Sequence, residues 1–120
     1  MSDLSELGYL LISNGYFAWP RIEKNNQFGL ICSTAPQNQV GHSFWITHLK
    51  QDWYLCYWSY RYWKIPKGES VAEICQHELE NGTSIASPTQ HSIDVYHLVE
   101  VDDEEFSKLL DSQLENTEYC

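Results

Sequence analysis

Residues 28–65 contain apolar, β-prone runs joined by short polar connections, and this spacing restricts the fold more than any other feature. A parallel crossover needs a dozen or more residues, so strands joined this closely form an antiparallel meander. Phe28 to Thr34 reads as a strand, followed by a loop around Pro36-Gln37-Asn38. His42 to Leu49 and Trp53 to Tyr60 flank Lys50-Gln51-Asp52 in the manner of a hairpin. The second run can continue to Ile65 before Pro66-Lys67-Gly68 breaks it. Upstream, Tyr16 to Glu23 suits an edge strand or irregular segment, because Pro20 cannot donate to a central ladder. Lys24 to Gln27 reads as the turn after it.

Three amphipathic helices bracket these strands. Asp3 and Glu6 form a capping-box pattern, Leu4, Leu7, Gly8 and Leu11 share one face, and Asn14-Gly15 stops the helix near Ser13. Ser70 and Glu73 repeat the box ahead of Val71, Ile74, Cys75 and Leu79, with Asn81-Gly82 as the stop. A polar loop runs through Pro88 to His91, after which Ile93, Val95, Val99 and Val101 alternate as a strand would. Asp102 or Asp103 then caps a last helix striped by Phe106, Leu109, Leu110 and Leu114. The expected fold is α+β, with an antiparallel meander of about four to five strands and helices packed on it. The expected order is α-β-β-β-β-α-β-α, in one domain spanning residues 1–120.

No basic segment followed by an apolar one opens the chain, and no apolar run reaches the roughly 20 residues of a membrane span. Cytoplasm is the compartment expected. Cys32, Cys56, Cys75 and Cys120 are scattered without a C-x-x-C pair, which reads as packing thiols rather than a disulfide or metal framework.

The net charge of −10 is unevenly spread. Residues 20–67 set six basic side chains against two acidic ones, whereas residues 68–120 set thirteen acids against Lys108 alone. Such a field repels phosphate, so nucleic acid and anionic membrane are disfavoured partners. The segment with Asp102, Asp103, Glu104, Glu105 and Asp111 offers a dense negative face suited to a basic protein, or simply a solvated surface.

Aromatic residues concentrate in Trp53 to Lys64. If the run is one strand, both of its faces carry large rings, so it is either buried on both sides or partly exposed as a recognition platform. Tyr57, Trp58, Tyr60, Arg61, Tyr62 and Trp63 are the candidate aromatic surface, since Trp, Tyr and Arg dominate interface hot spots. Exposure is expected mainly after Ser59, where charges interleave with rings.

Catalytic signals are sparse. Cys75 and His77 stand two apart on a helix and point away from each other, so they cannot easily share a metal. A Cys–His pair such as Cys56 with His42 or His48 is conceivable across neighbouring strands. No nucleophile elbow, zinc-protease, P-loop or dinucleotide motif occurs, and no cofactor is expected. The chain therefore reads as a small acidic, non-enzymatic binding module with a protein partner. In physical character alone it resembles inhibitors and immunity proteins that neutralise basic nucleases. The alternative is a ligand-binding protein or unrecognised enzyme with a pocket built from His42, Trp45, His48 and Cys56. A homodimer through an exposed aromatic strand edge is a third arrangement.

Overall fold

A computed structural model describes residues 2–23 and 25–118, with side chains from Leu4 to Gln113 other than Lys24. The Asp3 capping box, the turn role of Lys24, the place of Leu114 in its stripe and the fate of Cys120 lie outside the described residues. Among the described residues the order is α1 (Ser2–Ser13), β1 (Phe17–Glu23), β2 (Asn26–Ser33), β3 (Ser43–Leu49), β4 (Asp52–Tyr57) and β5 (Arg61–Ile65). Then come α2 (Val71–Asn81), α3 (Gln90–Val95), β6 (Val99–Val101) and α4 (Asp103–Glu118). The strands form one antiparallel sheet in sequence order, so the chain is an α+β meander. No described helix is long and apolar enough to cross a membrane.

Local chemistry explains most boundaries. Gly15, at φ 91°, closes α1, with the Tyr16 amide donating to the Leu11 carbonyl and the Gly15 amide to Ile12. Lys50 and Gln51 both take positive φ in the two-residue turn between β3 and β4. The Ser70 hydroxyl accepts from the Glu73 amide at 3.2 Å and starts α2. β1 is an edge strand, where Pro20 is tolerated.

Two departures from the expected order follow from short elements. The run from Trp53 is not one strand through Tyr60: it turns back at Trp58-Ser59-Tyr60, giving β4 and β5 as a hairpin. That turn contains no Gly, Pro, Asn or Asp, and Ser59 is a weak turn signal between two large rings. Ile93 and Val95 lie in α3 rather than on a strand, and only Val99–Val101 pairs with β5. The Thr89 side chain caps α3 by accepting from the Ser92 amide, and a six-residue helix is too short to display a helical period.

The sheet is covered on both faces. On one, Leu4, Leu7 and Leu11 of α1 and Ile74, Cys75 and Leu79 of α2 pack over Leu30, Phe44, Ile46, Leu55, Tyr57 and Trp63. On the other, Phe106 of α4 packs with Phe28, Trp45, Leu49, Tyr54, Cys56 and Tyr62. Double coverage explains why large rings alternate to both sides of β3, β4 and β5.

Candidate functional site

The turn between β4 and β5 is where the aromatic run reaches solvent. Three-residue hairpin connections commonly end on a left-handed residue, usually glycine. Here Tyr60 occupies that position at φ 61°, with 76 % of its surface exposed. Holding a bulky residue there costs about 1 kcal/mol, because its Cβ crowds the following carbonyl. Trp58 is 37 % exposed and pinned, its indole N–H donating to the Ser43 carbonyl at 3.1 Å and hydroxyl at 3.0 Å. Arg61 is exposed, yet its guanidinium closes on Glu100 through contacts of 2.8 and 3.1 Å.

Tyr57, Tyr62 and Trp63 do not belong to that surface. They are buried: Tyr57 of β4 and Trp63 of β5 lie in the core under α1 and α2, and Tyr62 of β5 lies in the core with Phe106 of α4. Burial and the neighbouring Glu78 carboxylate push the Tyr57 hydroxyl far above its ordinary range; burial and Asp103 push up that of Tyr62.

Behind the turn, Arg21 of β1 enters the aromatic cluster on the α4 side of the sheet. Its guanidinium carbon lies 4.4 Å from the Trp45 ring centre, 5.1 Å from Trp58 and 5.3 Å from Phe28. Gly29, opposite Arg21 in the ladder, lets the Trp45 ring lie close against the β2 backbone: a Cβ there would stand 3.0 Å from that ring and from the Ile46 carbonyl. A pocket of about 140 Å³ opens here, lined by Arg21, Trp45, Tyr57, Trp58, Tyr60 and Tyr62. Sequence reasoning named every lining residue except Arg21, whose convergence depends on the β1–β2 register. Pro20, marking the adjacent edge position, was the available signal.

The acidic segment adjoins the same end of the sheet. Tyr62 pairs with Val101, and extending that register sets Asp102 beside Arg61. Asp102, Asp103, Glu104, Glu105 and Asp111 are all exposed. The Phe106 amide donates to the Asp102 carbonyl, and the Phe106 ring stacks on Tyr62 at 3.9 Å. Three acids in the first turn of α4 also suit the positive end of the helix. Lys108 pairs weakly with Glu104 at 3.7 Å, both side chains being exposed.

The alternative pocket of His42, Trp45, His48 and Cys56 is not assembled. Strand alternation puts Trp45 opposite Cys56 on the α4 face, whereas His48 stacks on Trp53, at 4.6 Å, on the other face. His42 packs near Gly82 and Phe44, and burial lowers its pKa against the pull of Glu78. The Cys56 thiol is wholly buried and pushed well above its ordinary range, so it is no ready nucleophile. Among the described residues no group of three or more His, Cys, Asp or Glu is placed to hold a metal ion.

A buried carboxylate that sequence reasoning missed lies on the opposite face. Glu78 of α2 is fully buried and accepts from the Tyr57 hydroxyl at 2.9 Å, the Thr89 hydroxyl at 2.7 Å and the Ser92 hydroxyl at 2.6 Å. The Thr89 amide adds contacts of 3.1 and 3.2 Å. With its oxygens so engaged, Glu78 acts as a structural tie among α2, α3 and β4. Its position at the edge of the apolar stripe of α2 was the only sequence signal. A larger, open groove of about 600 Å³ lies between α1 and α2 over Trp53, walled by Leu7, Leu10, Val71 and Ala72.

No family model, curated protein or solved structure matches the chain.

Proposed function

We propose that the protein is a non-enzymatic binding module of the cytoplasm that docks a basic protein through the Trp58–Arg61 turn and the adjoining acidic start of α4. The observation that carries this reading is Tyr60, a large ring held in a left-handed turn position with most of its surface in solvent. Backbone strain retained at an exposed aromatic residue is a feature of recognition sites, where contact with a partner offsets its cost. The acids beside it supply long-range attraction for a positively charged partner and repel a negative one. This combination suits an inhibitor of a basic protein.

The reading is tested by tagged capture from the source cells at low and high salt, with wild type, Tyr60→Gly and a variant carrying Asn or Gln at positions 102–105. Wild type is expected to retain a basic protein in stoichiometric amount that elutes in salt, with each variant retaining at least tenfold less. Retention that is indifferent to salt and to both variants would overturn the proposal.

A further inference from the structure

The pocket behind the turn has a chemistry that the basic-partner reading leaves unused. Its polar centre is Arg21, half-buried in a chain segment that is itself mildly basic. The rings of Trp45, Trp58 and Phe28 lie near the guanidinium carbon and limit the water around it. Such rings are poor substitutes for the oxygen acceptors that the edge N–H groups of a guanidinium require. No described carboxylate forms an ion pair with Arg21, in contrast to Arg61, which Glu100 engages. The pocket is small, about 140 Å³, and Trp45, Tyr57, Trp58, Tyr60 and Tyr62 complete its lining.

We propose that this pocket is a carboxylate-binding site, in which Arg21 receives the two oxygens of a monoanionic carboxylate and the surrounding rings cover its carbon side. A planar carboxylate matches the parallel N–H groups of a guanidinium. A phosphate dianion is disfavoured because the chain as a whole carries −10 and repels the second charge. Asp103, beside the Tyr62 hydroxyl, adds a charge of the ligand's own sign to one wall and keeps the affinity modest. The carboxylate can come from a free small acid or from an acidic side chain or chain end of a protein. The site stands whether or not the acidic face meets a basic protein, since it uses Arg21 and needs no partner.

Titration of the protein with benzoate, followed by the NMR signals of the Arg21 Nε–H and the Trp58 indole N–H, tests the proposal. Saturable shifts of both signals are expected, with benzyl alcohol and inorganic phosphate binding at least tenfold more weakly. Arg21→Gln should abolish the benzoate response, and Arg21→Lys should weaken it several-fold while keeping the charge. Tyr60→Ser, at an exposed position outside the core, should weaken it without disturbing the fold, and Asp103→Asn should tighten it. Acetyl-glycyl-phenylalanine and an internal-glutamate peptide amide form the second arm. Tighter binding of either peptide than benzoate supports the site with a protein source, and the reverse supports it with a free acid. Equal binding of benzoate and benzyl alcohol, or an unchanged response in folded Arg21→Gln, would overturn it.

Discussion

Tyr60 carries the strongest demand on a single residue. Glycine in its place removes the left-handed crowding and gives up little packing, because most of the ring is in solvent. Tyr60→Gly is therefore expected to stabilise the fold by about 0.5–1 kcal/mol. Urea unfolding checks this; a loss of stability would show that the ring serves packing instead. His42 makes a second residue-scale case. Burial lowers its pKa below the ordinary 6.5, so below that value the unfolded chain takes up a proton that the folded chain resists. Its contribution is present above about pH 6.5 and is lost as the pH falls through the lowered folded value. The urea midpoint of wild type should fall more between pH 7.5 and 5.5 than that of His42→Gln, and equal falls would contradict the assignment. Which aromatic residues are near solvent was only partly legible in the sequence. Trp58, Tyr60 and Arg61 reach the surface, but the same composition runs on into Tyr62 and Trp63, which the strand reversal buries.

The elements show where sequence periodicity carries information and where it fails. α1, α2 and α4 announced themselves through apolar stripes, α2 also through its Ser70 cap, and short connections dictated the meander. The β4–β5 turn was hidden because its three residues include two large aromatics and Ser59 as the one turn former, with no Gly, Pro, Asn or Asp. α3 was hidden because its apolar residues also fit an alternating strand pattern. What holds α3 in place is the Glu78 carboxylate, which lies between it, α2 and the end of β4. Glu78→Leu strands the hydroxyls of Tyr57, Thr89 and Ser92 in a buried setting and is expected to cost about 3 kcal/mol. Tyr57→Phe removes one bond from the set and should cost about 1 kcal/mol. Urea melts give both values, and native-state hydrogen exchange in Glu78→Leu should show α3 opening ahead of the sheet. A variant as stable as wild type would mean that the tie is dispensable.

Across the whole molecule, the strand order separates two kinds of surface. β1 and β6 are opposite edges of the sheet, and the acidic start of α4 follows β6 directly. α1, packed toward the β1 side, exposes Tyr9 and Ile12. The Trp58–Arg61 turn stands at the end of the sheet where the acids begin, so aromatic contact and electrostatic steering can act on the same partner. This arrangement was only half legible in the sequence: the charge asymmetry is plain there, but its closeness to the turn depends on the β5–β6 pairing. The most direct measurement is photocrosslinking in cells, with a benzophenone amino acid placed at position 60 or, as the comparison, at exposed position 9. The account predicts a covalent adduct with a basic protein from position 60 and none from position 9. An adduct formed from position 9 alone would contradict it and would move the interface to α1 and its groove.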